Sequence, residues 1–212
     1  AYDDSGNAND AKGYGGGTPT LIAAEDGLNG GGITMSENTV GVFQTPEAVV
    51  DLSETPVSIS FWVKPAGDGW YVSTDGNSST ILLSNNDGDG TGRWLVGGAT
   101  TGAGFDHLVL NAGGTEKPID QAIAGESYTL PGDAWSHVVY IYDNATQSNT
   151  LYVNGVAVLD GYVRELESKT GAFVFGDHKY NNSNGTRTFR GLMDEVKVFG
   201  KALSESEVDA LY

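Results

Sequence analysis

The sequence predicts an all-β sandwich or barrel closed by one short helix, and three observations lead there. Its 31 glycines, many clustered with Asn, Asp, Ser and Thr, punctuate short runs of β-branched and aromatic residues. Side chains from Leu192 to Phe199 alternate with the two-residue period of a strand. No window sustains helical periodicity except the last residues. At 212 residues the chain suits one well-packed domain, residues 1–212, and is too short for two comfortable ones.

Residues 1–35 read as a Gly/Asn/Asp-rich loop with one apolar run, Leu21-Ile-Ala-Ala24. Strands are predicted at 41–44, 57–63, 79–83, 93–96, 107–110, 127–130, 136–142, 149–153, 156–159, 172–175 and 192–199, in a run of antiparallel hairpins. Val138, Tyr140 and Tyr142 lie on one face of their strand, and His137, Val139 and Ile141 on the other. Apolar groups on both faces mark it as central. Asn154-Gly155 between two apolar runs is a type I′ hairpin signal. No internal repeat is present.

In the closing strand Leu192, Val196 and Val198 share one face, while Met193, Glu195, Lys197 and Phe199 share the other. Asp194 breaks the apolar face. A carboxylate at such a position must be hydrogen-bonded, paired or bound to a cation, because leaving it buried alone costs several kcal/mol. Ser204 and Glu207 then stand in capping-box spacing, and Leu203 and Val208 in that of a hydrophobic staple. They predict a helix of about two turns starting at Glu205, with Val208 and Leu211 held against the body.

These residues carry a resemblance. Phe189-Arg-Gly-Leu-Met-Asp-Glu-Val-Lys-Val-Phe199 followed by Ala202-Leu-Ser-Glu-Ser-Glu-Val208 resembles the closing signature of laminin-G-like domains in the concanavalin A-like lectin and glucanase superfamily. Tyr2-Asp-Asp-Ser-Gly-Asn-Ala-Asn-Asp10 is similar to the family's opening loop, Ser58-Ile-Ser-Phe-Trp-Val-Lys-Pro65 and Ala134-Trp-Ser-His-Val-Val-Tyr-Ile-Tyr-Asp143 to two of its strands, and Leu151-Tyr-Val-Asn-Gly155 to its hairpin. The resemblance implies a two-sheet antiparallel jelly-roll sandwich, concanavalin A-like, with a short C-terminal helix. Two features depart from the pattern. The strand that normally precedes the opening loop is missing, as in a domain excised from a larger protein, and stretches 66–92 and 99–130 are longer than a minimal member needs.

Composition narrows the function. With 28 acidic against 11 basic residues the formal charge is −17, which repels nucleic acid and anionic membranes. No run approaches the roughly 20 apolar residues of a membrane span. The absence of cysteine rules out disulfides and thiolate metal sites.

Two segments have ligands for calcium, which takes six to eight oxygens from carboxylates, amides and carbonyls. The turn Asp3-Asp-Ser-Gly-Asn7, with Asp10, offers these groups, and Asp194 can add a carboxylate from the closing strand; the family resemblance implies a structural calcium joining these segments. Alternatively, Asp3 and Asn7 form an Asx turn while Asp194 pairs with a lysine or caps backbone amides. Asn85-Asn-Asp-Gly-Asp-Gly90 begins like an EF-hand loop, but the twelfth position is Val96, so a loop calcium at Asp87 and Asp89 competes with a solvated turn.

Sugar recognition combines an aromatic face with amides and carboxylates for hydroxyls. Trp70 and Tyr71 with Asp75 and Asn77 have that chemistry, as do Asp177, His178, Tyr180, Asn181 and Asn182. Trp62 and Trp135 are read as packing, and Trp94 as intermediate. The paired glutamates of glucan hydrolases are missing: Glu207-Val-Asp-Ala-Leu-Tyr212 lacks the second one. No serine or cysteine nucleophile motif is present.

The expectation is therefore a noncatalytic, calcium-stabilised carbohydrate-binding domain, monomeric and flanked by other domains. Its setting would be a secreted or cell-surface bacterial protein such as an adhesin or polysaccharide-degrading enzyme. The alternative is a structural or protein-binding spacer on the same fold without a sugar site.

Overall fold

The computed structural model describes residues 12–14, 20–21, 27–28, 31–35, 42–46, 49–67, 80–86, 94–101, 105–111, 130–166, 169–177 and 188–212. In chain order its elements are β1 (Lys12–Tyr14), β2 (Thr20–Leu21), β3 (Ile33–Met35), β4 (Val42–Gln44), β5 (Val57–Pro65), β6 (Thr80–Asn86) and β7 (Leu95–Thr101). They continue with β8 (Phe105–Asn111), β9 (Ser136–Asp143), β10 (Ser148–Val153), β11 (Val156–Val163), β12 (Ala172–Phe175), β13 (Gly191–Phe199) and α1 (Glu205–Asp209). One sheet runs β1-β4-β12-β6-β7-β8 and the other β11-β10-β9-β5-β13-β3-β2, with every paired strand antiparallel. This is the two-layer sandwich the sequence predicts. No helix among the described residues is long and apolar enough to cross a membrane.

The core fills the space between the sheets. Phe43, Trp94, Val96, Phe173 and Phe175 from one layer meet Ile59, Phe61, Val138, Tyr140 and Met193 from the other. Phe175 stacks on Phe43 at 4.7 Å and meets the edge of Phe61 at 6.2 Å. Trp94, intermediate in the sequence reading, is fully buried against Tyr140 and Phe173. Burial raises the Tyr140 phenol well above its ordinary pKa. Its hydroxyl donates to Asn149 Oδ1 at 2.7 Å, and the Asn149 amide nitrogen donates in turn to the carbonyls of Tyr162 and Arg164. One buried amide thus satisfies a core phenol and fastens edge strand β11 to its neighbour.

Strand β9 is central, as its two apolar faces require. Val138, Tyr140 and Tyr142 enter the main core, while Val139 and Ile141 face a second cluster with Leu203 and Val208. That second cluster is the seat of α1, which starts at Glu205 as predicted but ends at Asp209, short of two turns. Glu207 Oε2 accepts the Ser204 backbone N–H at 2.9 Å and the Ser204 hydroxyl at 3.0 Å. Glu207 also pairs with Lys201, and these contacts hold its carboxyl down to about 2, the lysine bond first. Ser58 on β5 pins the helix entrance, donating to the Lys201 carbonyl and accepting the Leu203 N–H.

The β10–β11 turn has φ of 50° at Asn154 and 78° at Gly155, both positive as type I′ demands. Asn154 Oδ1 also accepts the His137 N–H at 2.8 Å, tying the turn to β9. Asn154→Ala places Cβ without this bond in the left-handed region and should cost about 1–2 kcal/mol in urea denaturation. Asn154→Gly keeps the turn and should cost less; equal losses would refute the conformational part.

Three readings change. Residues 12–14, 20–21 and 33–35 are short strands inside the stretch read as loop. They are two or three residues long and exist through pairing with β4 and β13 rather than local propensity. Leu130 lies in no strand, although strand was expected at 127–130; the rest of that stretch is outside the described residues.

The third change concerns β13. Its register against β5 shifts between Asp194 and Lys197, where Glu195 has φ of 50°. This bulge inverts the alternation. Met193 faces the core with Val196 and Val198, while Leu192 and Asp194 share the outer face, so Asp194 does not break the apolar face as expected.

Candidate functional site

The bulge places the Asp194 carboxylate, half-buried, on the outer face of the seven-stranded sheet opposite Trp62. Its Oδ2 accepts the Leu28 N–H and its Oδ1 the Glu195 N–H, both at 2.8 Å. The opening part of the chain, already paired to the closing strand through β3, is thus also docked on it through this side chain. Amide capping was one of the two uses expected for Asp194. An ionised carboxylate has about four lone-pair sites, so the two bonds leave capacity on each oxygen for a hard cation.

Neighbouring Glu195 is engaged with Lys197 at 2.9 Å. Among the described residues no three carboxylate or imidazole groups converge as a metal cluster. The other expected calcium ligands, Asp3, Asn7, Asp10, Asp87 and Asp89, lie outside the described residues. Asn85 and Asn86, read as the start of a turn, belong to β6, and Asn85 is buried with its amide donating to the Thr170 carbonyl.

Of the expected sugar-site residues, Trp70, Tyr71, Asp75, Asn77, His178, Tyr180, Asn181 and Asn182 lie outside the described residues. Asp177 is described and buried: its Oδ2 accepts the Thr188 hydroxyl at 2.7 Å, and its carbonyl accepts the Ser84 hydroxyl at 2.8 Å. These bonds join the two ends of segment 178–187 to each other and to β6.

A further group on the outer face was not singled out by the sequence. His137 and Trp62 are directly opposite on β9 and β5, their rings 5.0 Å apart, and Tyr212 stacks on Trp62 at 5.9 Å and on His137 at 6.1 Å. Ser60 Oγ is 2.8 Å from His137 Nε2. Burial, with Lys197 adding a smaller repulsion, lowers the His137 pKa to about 4. The pair has the spacing of a nucleophile and its base, but Ser60 is 2 % and His137 1 % exposed, so no substrate reaches it. Its role is to hold the sheet and the chain after α1 together. The signal for it was the outward parity of Ser58, Ser60 and Trp62 on β5.

Similarity searches agree with this architecture. The Laminin_G_3 family, described as the concanavalin A-like lectin/glucanases superfamily, matches residues 37–209. No curated protein matches the chain in sequence. Domain 4 of AbnA, an extracellular arabinanase from Geobacillus stearothermophilus solved with arabinotriose, superposes with a TM-score of 0.68 at 20% identity, covering 99% of this chain and 91% of that one. The binding domain of Paraclostridial Mosquitocidal Protein 1 gives 0.62 at 18% identity over 99% of this chain and 48% of that chain. Trypanosoma rangeli sialidase gives 0.57 at 15% identity over 85% of this chain and 27% of that one. At these identities the structures share the fold. Taken with the family match over most of the chain, they show that this chain belongs to the Laminin_G_3 family of the concanavalin A-like lectin/glucanases superfamily.

Proposed function

We propose that this domain is a noncatalytic carbohydrate-binding module, stabilised by calcium, of a secreted or cell-surface bacterial protein such as an adhesin or a polysaccharide-degrading enzyme. The observation that carries the reading is the near end-to-end correspondence with an arabinanase domain solved holding arabinotriose. The correspondence spans both domains almost completely, so what is shared is a whole module rather than one sheet. The enclosed Ser60–His137 pair is consistent with a binding role.

In this reading the rings of Trp70 and Tyr71 take the C–H faces of a sugar, and Asp75 and Asn77 take its hydroxyls. His178, Tyr180 and Asn182 belong to a second contact loop, whose ends Asp177 holds. Asp194 supplies one carboxylate to a calcium completed by Asp3, Asn7 and Asp10, with Asp87 and Asp89 as a separate loop position. Bound calcium would add a crosslink between the opening segment and β13 beside the Leu28 hydrogen bond.

The test is a broad glycan array run in millimolar calcium and in chelator. Selective glycan binding supports the module, and silence on every glycan in both conditions refutes it in favour of a spacer. An ion at about tenfold its dissociation constant contributes about 1.4 kcal/mol, so chelator should lower Tm by about 3–6 °C. Asp194→Asn should remove most of that response. A Tm indifferent to chelator refutes the calcium assignment and leaves the glycan reading intact.

A further inference from the structure

At one end of the seven-stranded sheet, where β3 and β5 finish and β13 begins, an open cleft of about 220 Å³ is formed. Pockets for drug-sized ligands span about 300–1,000 Å³, so this smaller cleft suits a single sugar ring rather than a run of them. Half-buried Leu192 gives it an apolar wall for the C–H face of such a ring, with buried Met35 and Pro65 beneath. Lys64, Thr34 and Asp133 supply its polar groups.

Those three groups are complementary in kind. An ammonium only donates, an ionised carboxylate only accepts, and a hydroxyl does both. One hydroxyl of a vicinal diol can donate to the carboxylate while its neighbour accepts from the ammonium. Asp133 is pre-set for this. Its φ of 57° is unusual for a residue other than glycine. It is held there by its N–H to the Pro65 carbonyl at 2.8 Å and by Oδ1, which accepts the Gly67 N–H at 3.2 Å. Strained backbone at the edge of a cleft is a mark of a pre-organised contact. The cleft balances one cation against one anion within a chain of net charge −17, which disfavours an anionic guest.

We propose that this cleft is a subsite for one neutral sugar unit, a chain end or side branch, whose vicinal hydroxyls are bracketed by Lys64 and Asp133. The proposal rests on the carbohydrate-binding reading and adds to it a position and a ligand class. The site is distinct in sequence from the Trp70–Asn77 and Asp177–Asn182 segments.

The experiment titrates ¹⁵N-labelled domain with arabinotriose, xylotriose and galactobiose, and separately with digalacturonate. Amide shifts should concentrate at residues 34–35, 64–66, 133 and 191–192, with the neutral sugars binding tighter than the acidic one. Lys64→Ala and Asp133→Asn should each weaken neutral-sugar binding by about tenfold or more. The asparagine tolerates the left-handed backbone and keeps an acceptor for Gly67. Ala66→Trp fills the cleft from an exposed position and should abolish the localised shifts; the dispersion of each variant's spectrum checks its fold. Neutral-sugar binding that leaves these amides unmoved and is unchanged in all three variants overturns the subsite while the module reading stands. Tighter binding of digalacturonate overturns the ligand class. Absence of binding to every sugar here and on the array removes the module reading and the subsite with it.

Discussion

Replacing Trp94 with alanine is expected to destabilise the domain by about 3–5 kcal/mol, the range for emptying a buried tryptophan site. The ring is fully buried, 4.8 Å from Tyr140 in one layer and 6.1 Å from Phe173 in the other, so its removal opens a void between the sheets that neither can close alone. For a domain of this size the loss corresponds to a fall in Tm of roughly 10 °C. The indole Nε1 is buried without a hydrogen-bond partner among the described residues. An unsatisfied donor costs about 1–3 kcal/mol, so Trp94→Phe should lose no more than about 1 kcal/mol, the vacated volume being offset by the removed N–H. Urea denaturation of both variants measures this. A loss below about 1.5 kcal/mol in the alanine variant would mean that Trp94 is not the packing link between layers.

Acidification is expected to destabilise the domain through His137. The folded-state pKa of about 4 lies below the ordinary value of 6.5 because the buried ring resists charging. Between those values the unfolded chain binds a proton that the folded chain does not, so stability drops as pH is lowered, by at most about 1.4 kcal/mol per unit. The contribution is complete above pH 6.5 and is lost as pH approaches 4, a total of about 3 kcal/mol; below 4 both states carry the proton and the term is constant. Carboxylates titrate in part of this window, so the measurement is a difference. The slope of stability against pH between 6.5 and 4.5 should be shallower in His137→Gln than in the parent chain. Parallel curves would contradict the buried neutral imidazole.

Much of this architecture was legible because strand patterns and turn chemistry agreed. Asn154-Gly155 specified its turn through two residues that tolerate positive φ, and β9 announced its central place by apolar residues on both faces. Ala172–Phe175 was located to the residue. What escaped was structure set by partners far along the chain. The pairings of β2 with β3 and of β3 with β13 are tertiary events that a Gly/Asn/Asp-rich segment does not encode locally.

The bulge at Glu195 escaped for a different reason. A strict two-residue period cannot represent an inserted residue, so every side chain N-terminal to it was assigned to the wrong face. Asp194 was rightly identified as the residue needing a partner, but its bond to the Leu28 amide joins positions that periodicity does not connect. Ser60, Trp62 and His137 were visible as strand residues, and their contact with Tyr212 depended on where the chain goes after α1.

The place of β13 between β5 and β3 also governs how the domain is made. On the ribosome β5 is synthesised long before its neighbour, and one of its edges stays open until β13, the last of the described strands, emerges. An open edge of this kind invites pairing with other chains, and such long-range strand closure is slow. Sheet completion is thus postponed to the end of translation of these residues. In that interval the nascent chain is an unsealed sheet, not a finished sandwich.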